Sequence, residues 1–128
     1  MKHSKLRLLV LCLGLLWLLS SCGPAASVPS TNPAIRGSIT NRQPLTGAKN
    51  GILGSILIEG QLESDTAFDK AAVTITAQTR IFEQMGQERR PTTFEALQVG
   101  QQVEAWFDGP VAESYPVQAR ANDVVILR

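Results

Sequence analysis

Apolar and polar residues alternate with a period of two in several stretches of the chain beyond residue 33. In the clearest stretch, Val73, Ile75 and Ala77 alternate with threonine and glutamine, and the many β-branched residues favour an extended backbone. Such alternation is typical of strands that bury one face. The sequence predicts strands over residues 34–40, 51–59, 71–82, 101–107 and 119–128, with residues 85–91 as a loop.

A different pattern separates the third and fourth predicted strands. Thr92 and Glu95 have the spacing of a capping box, Phe94 and Leu97 fall on one side, and Gly100 follows where a helix would end. This predicts one short helix. Five strands with a helix between the third and fourth is the order of an OB-fold, a small Greek-key barrel. An open five-stranded sheet with the helix on one face is the alternative.

The chain begins with the parts of an export signal. Lys2, Lys5 and Arg7 precede an uncharged, leucine-rich run over Leu8–Leu19. That run is shorter than the roughly 20 apolar residues that a membrane-spanning helix needs. The sequence Leu19-Ser20-Ser21-Cys22 resembles the lipobox of bacterial lipoproteins, and the resemblance implies cleavage before Cys22 and a lipid anchor on it. An ordinary secretory cleavage site is the alternative.

These features divide the chain into three parts. We expect a signal peptide over residues 1–21, a lipidated Cys22 with a flexible, proline-containing tether over residues 22–33, and one domain over residues 34–128. The resemblance implies anchoring to the cell membrane or outer membrane, with the domain on the extracytoplasmic side. For an envelope with two membranes, the resemblance implies that Gly23, in place of an aspartate after the cysteine, favours the outer membrane; the sequence does not show which type of envelope it is.

Removal of the leader changes both the charge and the available chemistry. Residues 22–128 contain nine basic and eleven acidic side chains, so they provide no basic surface for nucleic acid. His3 and Cys12 belong to the leader, which leaves no histidine and no cysteine besides Cys22. Ser-His-Asp and Cys-His catalysis, the usual zinc and copper ligands and an internal disulfide are therefore excluded. We expect no cofactor and no enzymatic activity.

The segment from Trp106 to Ala119 has the most unusual composition of the domain. Trp106, Glu113, Ser114 and Tyr115 form a candidate binding surface, because an aromatic face beside a carboxylate suits a sugar, a cationic group or a peptide. In the alternative interpretation the segment only packs: Gly109 and Pro110 turn the chain and Glu113 pairs with an arginine such as Arg120. A ligand site would place Trp106 and Tyr115 beside one pocket, whereas a packing role would bury both.

Other acidic residues offer weaker candidates. Glu63, Asp65 and Asp69 lack the spacing of a calcium-binding EF-hand loop, so a solvated turn is favoured. Glu59 and Glu104 are a conceivable carboxylate pair for glycoside chemistry, although the sequence does not fix their separation. Ser114 lacks both the Gly-x-Ser-x-Gly turn and an activating histidine.

Short motifs spread over the domain resemble the YobA-like family of small bacterial secreted and lipoprotein domains, which has no known function. The resemblance implies the barrel fold and the extracytoplasmic setting and adds no catalytic residue. The motifs are Ile35-Arg36-Gly37 with Ile39-Thr40, Ile58-Glu59-Gly60, Asp69-Lys70-Ala71, Thr79 with Ile81, and Gly109-Pro110-Val111 leading into Glu113-Ser114-Tyr115-Pro116.

The sequence therefore predicts a non-catalytic, lipid-anchored domain that binds an unidentified ligand or protein at the cell envelope. Two alternatives stay open. One is a structural domain of an envelope assembly, and the other is a carboxylate-dependent enzyme that acts on glycans.

Overall fold

The computed structural model describes residues 29–47 and 49–128, which form mainly β-strands. The predicted signal peptide and Cys22 lie outside these residues. Within the described part, no helix has the length and apolar character required to cross a bilayer. The strands are β1 (Ile35–Pro44), β2 (Ile52–Glu59), β3 (Lys70–Thr76), β4 (Arg80–Met85), β5 (Glu88–Thr92), β6 (Gln102–Ala112) and β7 (Val117–Leu127).

Five of these strands close into a barrel. β1 pairs antiparallel with β2 on one side and with β6 on the other, and β2 pairs antiparallel with β3. β7 closes the ring because it pairs antiparallel with β6 and parallel with β3. This is the strand order of the predicted OB-like Greek-key barrel, and the open-sheet alternative is wrong.

Inward-facing residues of the five strands fill the barrel. They are almost all isoleucine, valine or alanine, and the burial of each larger one contributes about 1.5–3 kcal/mol. Because successive residues of a strand point to opposite faces, the alternation in the sequence places these side chains together. The fully enclosed members include Ile35, Ile39, Ile56, Ile58, Val73, Ile75, Val103, Val124 and Ile126.

The predicted third strand, residues 71–82, is two strands rather than one. A turn over residues 77–79 separates β3 from β4, and the Thr79 side chain stabilises it. The Thr79 hydroxyl accepts a hydrogen bond from the Thr76 amide at 3.0 Å and donates one to the Ala121 carbonyl at 2.8 Å. Such side-chain bonds compete with the strand ladder. β4 then leaves β3 and pairs parallel with the second half of β7.

The predicted loop over residues 85–91 is largely a hairpin that joins β4 to β5. Gly86 has a φ of 64°, which suits the first central position of a two-residue hairpin turn. The charged residues Glu88, Arg89 and Arg90 belong to β5, which lies at the edge of the sheet. Their polarity fits an exposed edge strand. It also means that β5 lacks the alternation of apolar and polar residues that predicts the other strands.

The predicted short helix is only a 3-10 turn over Phe94–Ala96. The capping position before this turn is occupied by Thr93 rather than Thr92, and Thr93 makes no side-chain capping bond. The capping box predicted from the spacing of Thr92 and Glu95 is therefore wrong. Phe94 and Leu97 are buried in the barrel core. A Cβ on Gly54 would lie 2.6 Å from the ring of Phe94, which explains the glycine in β2.

A second, smaller apolar cluster lies outside the barrel. It contains Phe82 of β4, Trp106 of β6 and Val125 of β7, with Leu127 packed against them. This cluster forms because β4 and β5 extend the sheet beyond the barrel, so that Phe82 of β4 can pack against outward-facing side chains of β6 and β7.

A fully buried carboxylate, Asp123, lies on β7 opposite Trp106. The Nε of Arg80 lies 2.7 Å from one of its oxygens, and the side-chain amide of Asn122 donates to the other at 2.7 Å. Arg80 is about half exposed, with 46% of its side chain accessible, so this ion pair joins the surface to the interior. Buried charges of this kind require such a partner.

Two glycines from distant parts of the sequence meet where β1 begins. A Cβ on Gly37 would lie 2.6 Å from the carbonyl carbon of Glu59 and 2.8 Å from the amide nitrogen of Gly60. A Cβ on Gly60 would lie 2.9 Å from the Cα of Gly37. The backbones of β1 and of the segment after β2 therefore approach more closely than any other residue type allows.

Candidate functional site

Trp106 is buried, with only 8% of its surface exposed, and it holds the segment that leads into the barrel. Its indole N–H donates a hydrogen bond to the carbonyl of Thr31 at 2.9 Å. Pro33 is buried, and the amide of Ala34 donates to the carbonyl of Ala105 at 2.9 Å. The last residues of the predicted tether thus lie against the domain.

The other three predicted surface residues lie on the connection between β6 and β7. Tyr115 is 72% exposed, and its hydroxyl donates a long hydrogen bond of 3.4 Å to Asp69. The Ser114 hydroxyl donates to the carbonyl of Pro116 at 2.8 Å, and Glu113 is exposed. Ser114 therefore stabilises its own turn.

Trp106 and Tyr115 therefore lie in different environments. Trp106 is buried beside a cavity, whereas Tyr115 lies on the surface near the ammonium group of Lys70, 5.8 Å from its ring centre. Arg120 pairs with Asp108 and not with Glu113 as expected: the Asp108 carboxylate lies 3.6 Å from the Nε of Arg120. Sequence proximity suggested one surface, but β6 carries Trp106 away from the hairpin tip.

An open cavity of about 520 Å³ lies beside Trp106, at the end of the barrel where the chain enters β1. We call it the tether-end cavity. The rings of Phe68 and Phe107 stack on one another in its wall, with their centres 5.8 Å apart. Its lining combines aromatic, aliphatic and polar groups from three segments: Thr31–Ala34, Ser64–Phe68, and Trp106, Phe107 and Val111.

One arginine organises the polar wall of the tether-end cavity. Arg36 of β1 donates to both oxygens of Asp65, at 3.1 and 2.8 Å. It also donates to Glu104 through Nε and Nη2, at 3.0 and 2.7 Å, and to Glu63 at 3.1 Å. We call these four residues the Arg36 cluster. It fixes the loop of residues 63–65 against β1 and β6, where the sequence suggested a solvated turn.

Two groups of the Arg36 cluster, Arg36 and Asp65, stabilise one another in their charged forms. Hydrogen bonds from Arg36 hold the pKa of Asp65 below its usual value of 3.8. The same bonds to Asp65, and then those to Glu104, raise the pKa of Arg36 further above its usual range. The cavity wall therefore contains an ionised carboxylate, that of Asp65, at neutral pH.

We expect the substitution Arg36→Gln to lower the melting temperature by a few degrees at pH 7, and by less in acid. Because the folded-state pKa of Asp65 lies below its unfolded value of 3.8, its contribution to stability is present above that pH. The contribution is lost as the pH falls through the folded-state pKa. The difference between wild type and Arg36→Gln should therefore shrink below about pH 4.

Thermal unfolding followed by circular dichroism between pH 7 and pH 2.5 measures this difference. Arg90→Gln is the matched control, because Arg90 is 67% exposed and its nearest carboxylate, on Glu88, is 3.5 Å away. A difference for Arg36→Gln that stays constant down to pH 2.5 would contradict the role assigned to Asp65.

The remaining acidic candidates do not converge. Asp69 accepts its bond from Tyr115, away from the Arg36 cluster, and Glu59 pairs with Lys70 at 3.1 Å. Hydrogen bonds from Thr40 and then Lys70 hold the pKa of Glu59 below its usual value. Among the residues that the structure describes, no group of three or more acidic, histidine or cysteine side chains is arranged to hold a metal ion.

A second depression crosses the outside of the barrel over β1, β2 and β3. Its volume is about 180 Å³, and its lining contains no aromatic side chain: Asn41, Gln43, Ser55, Ile56, Leu57 and Ala72. The tether-end cavity is larger and more varied chemically, so it is the stronger candidate for a ligand site.

Comparison with protein families places the chain in a known group. A family model described as "Protein of unknown function (DUF3221)" matches residues 54–128, more than half of the chain. The chain belongs to the DUF3221 family. The matched region starts within β2 and includes β3 to β7, so it supplies two of the three walls of the tether-end cavity. No curated protein and no solved structure matches the chain.

Sequence reasoning found Trp106 but missed Arg36, Asp65, Phe68 and Phe107 as neighbours of one cavity. Arg36 and Glu104 are 68 residues apart and meet because β1 and β6 pair in that register. Phe68 reaches the site through a single bridge between its backbone and that of Ile35. The sequence shows only that Arg36 is a polar residue on the outward side of β1. Its carboxylate partners can be identified only when the strands next to β1 are known.

Proposed function

We propose that this protein is a bacterial lipoprotein whose barrel binds a ligand, without catalysis, on the extracytoplasmic side of the cell membrane or outer membrane. The observation that carries the binding role is the tether-end cavity, where the rings of Phe68, Trp106 and Phe107 meet polar groups. Its volume of about 520 Å³ falls in the range of small-molecule sites. The lipobox that ends at Cys22 and the YobA-like resemblance support the anchored, extracytoplasmic setting.

The position of the cavity suits an anchored protein. Thr31, which forms part of the cavity wall, is nine residues beyond Cys22. Nine residues span at most roughly 30 Å even when fully extended. A lipid on Cys22 would therefore keep the cavity close to the membrane surface, where its ligand would be encountered.

The geometry argues against the glycan-acting enzyme. A glycosidase of the usual kind needs one carboxyl group with a raised pKa to protonate the leaving group. Hydrogen bonds lower the pKa of Glu59, and Glu104 is bound by Arg36 at 2.7 Å. Both carboxylates of the conceivable pair are thus bound by a cation, Glu59 by Lys70 and Glu104 by Arg36, and the pKa of Glu59 is shifted in the wrong direction for a general acid.

The structural alternative has less support than binding. A domain that assembles through strand pairing needs an open sheet edge, and β5 supplies one. This edge carries Pro91, which lacks an N–H donor, and the exposed charges of Arg89 and Arg90. Proline and charges are the features by which proteins prevent pairing at an edge.

Mass spectrometry of the protein extracted from its native membrane tests both parts of the proposal. Under denaturing conditions we expect the mass of residues 22–128 plus lipid, and a Cys22→Ala variant should lose the lipid. Under native conditions we expect an additional small molecule bound to the folded protein. An unlipidated mass in the wild type would refute the anchor.

A cavity-filling variant locates the bound molecule. Ala67 is exposed and lines the cavity, so Ala67→Trp should occupy the space and abolish the additional mass. Ala77→Trp makes the same change at an exposed position in the turn between β3 and β4 and should retain it. Retention of the small molecule by both variants would place the ligand elsewhere.

A further inference from the structure

The carboxylates beside the tether-end cavity outnumber their cationic partners. Arg36 is shared by three of them, on Glu63, Asp65 and Glu104, so the Arg36 cluster has an excess of two negative charges. Asp65 lines the cavity itself, and 37% of its side chain is exposed. The guanidinium already donates through all three of its nitrogens, and its single positive charge cannot neutralise three carboxylates.

The same imbalance extends over the segments of the chain that contain the cavity-lining residues. The segments over residues 31–36, 59–70 and 104–120 carry seven acidic and three basic side chains. The rest of the described domain carries four acidic and six basic side chains, so the charge is divided unevenly between the two parts. The acidic members of the first part are Glu59, Glu63, Asp65, Asp69, Glu104, Asp108 and Glu113.

Aromatic rings provide a second, independent attraction for a cation in the same place. Phe68 and Phe107 are half-buried and stack at an angle of 26°, with Trp106 in the same lining. The face of an aromatic ring carries partial negative charge and attracts an ammonium group, most strongly where water is partly excluded. An anionic ligand would gain nothing from these rings and would be repelled by the Arg36 cluster.

We propose that the tether-end cavity binds an organic ammonium group carried on an apolar body. The inference rests on the proposed binding function and specifies the chemistry of its ligand. The ammonium group lies against the phenylalanine rings, within reach of Asp65, and the apolar body contacts Pro33 and Val111. Choline is the simplest probe that has these properties.

Titration of the ¹⁵N-labelled full chain in a nonionic detergent, followed by nuclear magnetic resonance, tests this chemistry. Choline should shift the amide signals of residues 64–68 and the indole N–H signal of Trp106, and the shifts should saturate. Its uncharged isostere 3,3-dimethylbutan-1-ol has nearly the same shape and should bind about tenfold more weakly. Phosphocholine adds a phosphate to the same ammonium: weaker binding than choline indicates a free ammonium compound as ligand, and equal binding indicates a lipid headgroup.

Three variants separate charge from shape. Glu63→Gln removes one negative charge from a side chain that is 46% exposed and should weaken choline binding about threefold. Phe68→Leu keeps an apolar wall but removes a ring, and should weaken choline several-fold while leaving the isostere unchanged. Glu88→Gln is the control, because Glu88 is 73% exposed on β5, in the oppositely charged part of the domain.

The outcomes distinguish the inference from the proposed function. Tighter binding of choline than of its isostere, lost in Phe68→Leu, supports the ammonium site. Equal binding of both probes at the cavity overturns the inference and leaves a ligand cavity of another specificity. Absence of any saturable shift at residues 64–68 with every probe overturns the ammonium site, and the native mass measurement then decides separately whether the cavity holds a ligand.

Discussion

Replacing Gly37 by alanine is expected to lower the free energy of unfolding by about 3 kcal/mol, the upper end for inserting an atom into a closely packed site. The new Cβ would lie 2.6 Å from the carbonyl carbon of Glu59 and 2.8 Å from the amide nitrogen of Gly60. Both neighbours are backbone atoms, so no side chain can move aside. β1 would have to separate from the end of β2, with which it pairs in the barrel.

Urea unfolding followed by circular dichroism measures the effect, and Gly47→Ala is the control. Gly47 has a φ of 72°, but no atom lies within 4 Å of the position that a Cβ would take there, so only its backbone conformation is strained by the substitution. That strain costs about 1–2 kcal/mol. Equal losses for Gly37→Ala and Gly47→Ala would mean that close approach of the two backbones does not constrain the barrel.

Replacing Trp106 by alanine is expected to cost about 3–5 kcal/mol, the usual range for removing a large buried aromatic side chain. Its ring fills the cluster outside the barrel between Phe82 and Val125. The substitution also removes the indole N–H that holds the carbonyl of Thr31. The hairpin of β4 and β5 and the entering segment would both lose the contact that Trp106 provides.

Trp106→Phe separates these two contributions, since it keeps an aromatic ring in the cluster but removes the donor to Thr31. We expect a loss of about 1 kcal/mol from the missing hydrogen bond. Hydrogen exchange should show faster exchange at the amide of Ala34, which follows the released segment, while the amides of β6 stay protected. A loss from Trp106→Ala as small as that from Trp106→Phe would show that the outer cluster contributes little to stability.

The barrel was predictable because its strands bury one face each. Ile35, Ile39, Val73 and Ile75 alternate with polar residues, and their period of two survives in the structure. β5 was not predictable in this way, because the edge residues Glu88–Thr92 are exposed on both faces and carry no period. The predicted helix was wrong for the opposite reason: Phe94 and Leu97 have the apolar spacing of a helix, but a single 3-10 turn over Phe94–Ala96, followed by an extended Leu97, is enough to bury both.

The candidate site was predictable only as far as its composition. Trp106 stands out in the sequence because it is the one tryptophan in residues 22–128, and the structure places it beside the tether-end cavity. Tyr115 was grouped with it on sequence proximity, but the long β6–β7 hairpin carries the two residues to different surroundings. Arg36 depends on strand register over 68 residues, which local patterns do not encode.

The position of β7 in the barrel has a consequence for the time at which this protein folds. β7 is hydrogen-bonded to β6 along its length, to β3 through its first half and to β4 through its second half. Until residues 117–127 have been synthesised, β3 and β4 have no parallel partner and the ring cannot close. Pairing between such distant segments is slow to form. The barrel therefore closes only after β7 has emerged, so its other four strands are held in an unclosed state for most of their synthesis.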